Sequence, residues 1–381
     1  MGILCTFESE VWLGVSNKKG IDRKGIPVGV VGLGYVGLPL AIEFCSCGFE
    51  VWGIDASSEK VGFLTAGKSH VGDIQDSVVT EYISSGRLHV GGEYDRLKQT
   101  QAISVCVPTP LRKTKDPDMS YVVEAVENIA KVLQPGQLVI LESTVYPGAT
   151  EELIAPVLER SGLDVGEDFC LAFSPERVDP GNKEYGLSDI PKIVGGVSEE
   201  CTKRAVELYR QVFEQVIPMD CKEAEMAKLV ENTFRAVNIG LINELALVAR
   251  KMGINIWNVI RAAKSKPVGF MPFYPGPGLG GHCIPIDPFY LSWKAKTYRA
   301  DTSFIELADK VNSQMPALWW NVWLTCSIER ESHSKDRASC CWEWPTSGMS
   351  AIRENRLHSI SLSCSPRRGQ RSPIMTPTWH A

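Results

Sequence analysis

This chain has no hydrophobic run long enough to cross a bilayer. Its most apolar long stretch, residues 236–249, is interrupted by Asn238, Asn243 and Glu244. Residues 1–25 lack the apolar core of a secretory leader and carry Lys18, Lys19, Arg23 and Lys24. Neither sign of charge dominates: 40 Lys and Arg against 45 Asp and Glu leave a net charge of −5. With no basic excess, neither nucleic acid nor an anionic membrane is expected as a partner, and an anionic substrate must meet local lysines and arginines. The 12 cysteines include no C-x-x-C pair; Cys340 and Cys341 are adjacent and one residue separates Cys45 from Cys47. No metal site is expected, and the thiols read as reduced ones in a cytoplasmic protein.

What is present is an alternation of short apolar runs and amphipathic stretches, over a length that suggests two or three domains. Strands are predicted at 28–31, 51–54, 102–107, 138–141, 169–173, 193–197 and 216–219, with helices such as 122–133, 150–161 and 199–213 between them. This is the pattern of an α/β fold, a Rossmann-like doubly wound parallel sheet covered on both faces. After Asp220 the rhythm changes to one long helix over 222–252, with Gly253 as its C-cap. A shorter helix over 256–263, a Gly/Pro-rich loop over 266–287 and a helix from Pro288 follow. The expected divisions are an N-terminal extension (1–25), a nucleotide-binding domain (26–219), a central helical and catalytic domain (220–316) and an atypical, poorly ordered tail (317–381).

Four segments carry chemistry. The first is a strand running into Gly32-Leu-Gly34-Tyr35-Val36-Gly37 and then a helix. Such glycines allow a tight turn, backbone approach to a pyrophosphate and close helix–strand packing, with the helix N-terminus facing the phosphates. Glycines alone are a weak signal, since a tight turn needs no ligand. Asp55, at the end of the next strand and 18 residues after Gly37, adds an acid placed to bind the ribose hydroxyls of NAD and repel the extra phosphate of NADP. Thr109 and Glu142-Ser143-Thr144 close later strands, on the edge where an open parallel sheet binds ligands.

The second is the loop Pro275-Gly-Pro-Gly-Leu-Gly-Gly-His-Cys283-Ile-Pro-Ile-Asp287, with glycines at 276, 278, 280 and 281. A free cysteine is usually an inert core residue. This one follows four glycines and lies near a helix start, where the dipole is expected to lower a thiol pKa, so it reads as a nucleophile. The third is the long helix, where Lys228, Asn232 and Arg235 share a face. A solvated polar stripe is the common explanation, but the helix is otherwise apolar, and burying an ammonium needs a reason. Ser174-Pro-Glu176-Arg177-Val178-Asp179 ends the fifth strand and adds a carboxylate and a guanidinium to the same edge.

GVVGLGYVGLPLA, CVPTP, ESTVYPGAT, SPERVDPGN, KLVENTFRAVNI and FMPFYPGPGLGGHCIPIDPFYL together resemble the UDP-glucose/GDP-mannose dehydrogenase family over about residues 26–316. SPERVDPGN resembles the UDP-N-acetylglucosamine or N-acetylmannosamine branch. The resemblance implies NAD as cofactor and a UDP-sugar as substrate, whose C6 alcohol is oxidised to a uronate through a Cys283 thiohemiacetal and thioester. Lys228 and Asn232 would stabilise oxyanions, Asp287 would assist proton movement, Glu176 would act as general base and Thr144 would position water. Arg177, Val178, Lys228, Asn232, Arg235, Gly276, Gly281 and His282 would hold the sugar, and the long helix would form a homodimer. Family members carry a further UDP-binding domain, which this chain is expected largely to lack. Residues 319–381 hold six of the ten tryptophans, and from Ser327 onward there are seven arginines to one lysine. Such composition is poor at forming a packed core and is expected to arise from a shifted reading frame shortly after Met315–Pro316. The alternatives are a UDP-glucose enzyme, a non-catalytic NAD-binding remnant, or a 3-hydroxyacid dehydrogenase, which has no use for Cys283.

Overall fold

The computed structural model describes residues 27–177, 189–281 and 283–332, with side chains described to residue 321. The extension over 1–25, Val178, His282 and the part of the tail beyond 332 lie outside the described residues. Among the described residues, eight strands form one sheet: β1 Pro27–Val31, β2 Glu50–Ile54, β3 Leu88–Gly91, β4 Ala102–Val105, β5 Leu138–Leu141, β6 Cys170–Phe173, β7 Lys192–Gly196 and β8 Val216–Asp220. Their order is β3-β2-β1-β4-β5-β6-β7-β8. The helices are α1 Gly37–Ser46, α2 Ser58–Thr65, α3 Asp76–Ser84, α4 Ser120–Ala130, α5 Ala155–Leu158, α6 Glu199–Tyr209, α7 Cys221–Lys251, α8 Ile256–Lys264, α9 Asp287–Thr297 and α10 Ser303–Ser332.

Alternate residues of the strands feed two separate cores, one on each face of the sheet. Val31, Ile103, Val105, Val139, Leu141 and Phe173 pack on one side with residues of α4, α7 and α9. Val28, Val30, Val51, Ile140, Ala172 and Val194 pack on the other with α1, α3 and α6. A strand buried on both faces reads as a continuous apolar run, which is why most strands were visible in the sequence.

The structure corrects that reading at two points. Strand β3 was not expected: it is a four-residue edge strand in which only Leu88 is buried, too little apolar signal to register. The sheet is also not wholly parallel. β7 runs antiparallel to β6, with Ala172 opposite Gly196 and Phe173 opposite Gly195. The first residue of β7 therefore lies beside the carboxyl end of β6, on the ligand-binding edge.

β8 passes directly into α7, and the Asp220 side chain caps the helix by accepting from Lys222 N at 2.9 Å. α10 packs against α7 and runs through Pro316, so the division expected at residue 316 falls inside a helix.

Candidate functional site

The nucleotide loop is built by close backbone approach. Gly32 has φ +90°, and a Cβ there would lie 2.5 Å from the Cys106 carbonyl oxygen. A Cβ on Gly37 would overlap the Gly32 carbonyl. Only glycine fits at either position. Gly34 faces open space, Tyr35 is exposed, and Val36 immediately precedes α1. Asp55 is buried at the end of β2. It accepts from Leu33 N at 2.9 Å and Ser57 N at 2.8 Å, with Lys60 Nζ at 3.3 Å. A cleft of about 550 Å³ opens beside it, lined by Asp55, Ala56, Ser58, Val61, Thr65 and Gly92. An adenosine moiety fits these features: an acid for the ribose, an apolar slot for the base, and open backbone at Gly34 for phosphate. His70, not foreseen, braces the same loop, its Nε2 2.8 Å from the Leu33 carbonyl oxygen.

The cofactor edge is tied to the segment that follows Cys283. The Tyr290 hydroxyl, on α9, donates to the Thr109 carbonyl at 3.0 Å. Ser143 Oγ donates to the Val107 carbonyl at 2.8 Å, and half-buried Thr144 follows it on the same edge.

Cys283 is exposed at the end of the glycine loop, and its carbonyl accepts from the Ile286 and Asp287 amides as the chain turns into α9. Its thiol pKa is raised, not lowered as expected. Surrounding protein atoms disfavour the thiolate and the Asp287 carboxylate repels it, outweighing the attraction of Lys228 and Arg235. The thiol lies four residues before α9, so the helix dipole does not dominate it. Cys283 is thus exposed as a residue, while enough protein surrounds its thiol for desolvation to be the leading cause of the shift.

Asp287 is 2% exposed, and burial raises its carboxyl to about 6 against the opposing pull of Lys228, Asn232 and Arg235. Asn232 Nδ2 donates to Asp287 Oδ2 at 2.5 Å. Lys228, also buried, donates to the Glu176 main-chain carbonyl. The face of α7 carrying Lys228, Asn232 and half-buried Arg235 is thus directed at Cys283, Asp287 and the end of β6, not at solvent.

The end of β6 is more heavily engaged than the sequence suggested. Arg177 donates to both carboxylate oxygens of Glu231, at 2.5 and 3.3 Å, and to the Pro191 carbonyl at 2.8 Å. Three of its five N–H groups are committed within the chain. Glu176 Oε2 lies 3.5 Å from Lys192 Nζ, which also reaches Glu142 Oε2 at 2.6 Å. Glu231 and Lys192 were not foreseen: α7 carries several acids with nothing to mark one, and Lys192 needs the antiparallel β7 to reach this edge.

Two buried asparagines, also unforeseen, hold the glycine loop. Asn243 Oδ1 accepts from Gly276 N at 2.8 Å, while its Nδ2 donates to Asn312 Oδ1 at 2.9 Å. Asn312 Nδ2 in turn donates to the Ala236 carbonyl at 3.0 Å. Gly281, at φ +78°, is exposed at the far end of the loop. No group of three or more metal-ligating side chains exists among the described residues, and no described helix is long and apolar enough to cross a membrane.

Comparison with known proteins agrees with this geometry. Residues 26–213 match the NAD binding domain of the UDP-glucose/GDP-mannose dehydrogenase family, and residues 222–314 match its central domain. The chain is 41% identical over 292 residues to a UDP-N-acetyl-D-mannosamine dehydrogenase of Pyrococcus horikoshii, covering 76% of this chain and 69% of that one. It is 40% identical over 313 residues to a UDP-N-acetyl-D-glucosamine 6-dehydrogenase of Pseudomonas aeruginosa, covering 81% and 73%. The solved structure of a UDP-D-ManNAc dehydrogenase from Pyrococcus horikoshii superposes with a TM-score of 0.75 at 40% identity, over 80% of this chain and 72% of that one. A UDP-glucose dehydrogenase from Pyrobaculum islandicum gives 0.73 at 27% identity, over 84% and 74%. The chain belongs to the UDP-glucose/GDP-mannose dehydrogenase family, and its nucleotide loop, with Asp55, is part of that family's NAD-binding domain.

Proposed function

We propose that this chain oxidises the C6 alcohol of a UDP-N-acetylhexosamine to the uronate. The observation that carries this reading is the convergence of Cys283, Lys228, Asn232 and Asp287 on one point beside the cofactor edge. Both relatives at about 40% identity are named for UDP-N-acetylhexosamine oxidation. NAD would be held by Gly32, Gly34, Tyr35, Val36, Gly37, Asp55, Thr109 and Thr144, and would supply the hydride acceptor for the two oxidation stages.

The chain's own residues manage protons and charge. Cys283 sulfur adds to the C6 aldehyde to give a thiohemiacetal, whose oxidation leaves a thioester. Lys228 and Asn232 face the oxygen that becomes anionic at each stage. With its carboxyl near 6, Asp287 exchanges a proton close to neutral pH and serves the thiol, whose own pKa is high. Glu176 acts as base for the water that hydrolyses the thioester, and Thr144 positions that water. Arg235, Gly276 and Gly281 hold the sugar; Val178 and His282, to which the resemblance gives the same role, lie outside the described residues. Arg177 contributes through the N–H groups that Glu231 and Pro191 leave open.

A homodimer is proposed through α7. Met226, Val230, Phe234, Leu241, Leu245 and Val248 are all exposed in the single chain. At 100° per residue they fall within one quadrant or so of the helix, opposite Lys228, Asn232 and Arg235. The same helix therefore offers one face to the site and the other to a second copy.

The test is NADH formation from UDP-N-acetylglucosamine and UDP-N-acetylmannosamine, with Cys283→Ser beside the parent chain. The parent, whose match spans 69% and 73% of these two relatives, is expected to form uronate slowly and the serine variant none, because a serine hydroxyl is a far poorer nucleophile at neutral pH. Equal uronate from both would overturn the covalent mechanism.

A further inference from the structure

Behind Glu176 lies a charged group that the reaction as written does not use. Lys192 is 4% exposed, yet it carries an ammonium into the sheet. Burying such a charge costs several kcal/mol unless it is fully partnered. Its partners come from three chain segments. Glu142, just after β5, lies at 2.6 Å, and Glu176, just after β6, at 3.5 Å. The rings of Tyr209 and Phe213 are each 5.3 Å away. Glu142 is closed off from the site: its side chain is wholly buried, with Lys192 on one oxygen and the Tyr209 hydroxyl donating to the other. Glu176 is the one carboxylate of the pair with exposed side-chain surface, at 12%.

The antiparallel pairing of β7 with β6 explains the placement. Continuing the register Ala172–Gly196 and Phe173–Gly195 brings Lys192 opposite Glu176. A parallel β7 would start at the other edge of the sheet. The one reversed strand thus delivers a cation to a carboxylate at the ligand edge.

We propose that Lys192, backed by Glu142, is a positioning residue for the hydrolytic half-reaction, holding Glu176 in place and letting it take up and release a proton. The inference rests on the proposed role of Glu176. In the step concerned, a water O–H proton passes to the Glu176 carboxylate as the water oxygen bonds to the thioester carbon. Collapse of the tetrahedral intermediate breaks the C–S bond, with the electron pair going to the Cys283 sulfur, which regains a proton. While Glu176 is protonated, Lys192 remains paired with Glu142, so no buried cation is left alone. A single carboxylate partner could not offer this. The ammonium is kept charged because the pull of Glu142 and Glu176 outweighs burial, which alone would favour its neutral form. Among the described residues, the other ionisable groups around Glu176 include Lys228 from α7, Cys106 beyond β4, and Cys283.

The experiment uses the full chain with NAD and UDP-N-acetylglucosamine. It follows NADH by rapid mixing and the covalent Cys283 adduct by intact mass after acid quench. In Lys192→Met the first burst of NADH should persist, turnover should fall roughly 100-fold, and the thioester adduct should accumulate. Loss of the cation disfavours ionised Glu176, so the acid limb of the turnover–pH profile should move to higher pH. In Glu142→Gln the like charge is gone and Lys192 serves Glu176 alone, so the limb should move to lower pH. Opposite displacements are the signature; a residue that merely holds the fold would move neither limb. Burst and turnover falling together, or unmoved limbs, would overturn the proposal. If Lys192→Met does not fold, Glu142→Gln decides it by the same criterion. A parent chain that forms neither NADH nor adduct would defeat the role given to Cys283, and this inference with it.

Discussion

Asn232 donates to Asp287 at 2.5 Å, joining the middle of α7 to the first residue of α9. The bond lies in a buried setting: Asn232 and Asp287 are each 2% exposed. It aims the amide and the carboxylate towards Cys283 together, and it stabilises the charged form of a carboxyl that burial would otherwise hold protonated.

Asn232→Ala should therefore raise the Asp287 pKa further above about 6. The acid limb of the pH profile for the first NADH burst, the stage in which Asp287 serves the thiol, should move to higher pH, and the lost buried hydrogen bond should cost roughly 1–3 kcal/mol of stability. A rate–pH series on the variant and the parent checks this. An unmoved limb would detach Asp287 from the rate.

The same carboxyl makes a stability prediction. Its folded value of about 6 lies above the ordinary 3.8, so the folded chain holds this proton more tightly than the unfolded chain. Its contribution is fully present below about pH 4 and is lost as pH rises to about 6, a change of roughly 3 kcal/mol against folding. Asp287→Asn should remove that part of the pH dependence. Thermal melts from pH 4 to 7 should show a flatter profile for the variant; equal slopes would contradict the shift.

Much of this site was legible in the sequence because its residues sit in motifs with strict local demands. Gly32 and Gly37 are needed where backbones nearly touch, and the glycines before Cys283 mark a loop that no packed core would need. Lys228 and Asn232 were visible as polar residues on an apolar helix. What was not legible depends on long-range pairing. Lys192 is an ordinary strand-initial lysine until β7 reverses, and Asn312 lies 69 positions from Asn243, its partner. The upward shift of the Cys283 thiol could not be read either, because the local dipole predicts the opposite sign and only three-dimensional burial outweighs it.

Asn243→Ala should loosen the glycine loop without touching the reacting atoms. It frees Gly276 N and leaves Asn312 Oδ1 unpaired in a buried site. The expected result is a higher KM for the UDP-sugar together with a lower kcat, because misplacing the loop by about 1 Å can cost on the order of 100-fold. NAD affinity should stay the same, since the asparagine is remote from Asp55 and the nucleotide loop. Steady-state kinetics with a separate NAD titration distinguish these. A change in NAD affinity alone would point to a different coupling.

The exposed stripe of α7 gives the last prediction. From Met226 to Val248 it runs for about 33 Å at 1.5 Å per residue. An apolar strip of that length is large for a solitary surface, while a second copy laid along it would bury Phe234, Leu241 and Leu245. Leu241 is 53% exposed in the single chain, so a charge placed there costs the monomer's own fold little. Buried without a partner at a two-fold interface, the same charge would meet its own copy and be expelled. Leu241→Glu should therefore leave the melting temperature of the isolated chain nearly unchanged while shifting its sedimentation from dimer to monomer. Because Lys228 and Asn232 lie on the opposite face, the geometry around Cys283 within each chain should survive the substitution. A parent chain that sediments as a monomer, or a variant that sediments as a dimer like its parent, would remove the long helix as the interface.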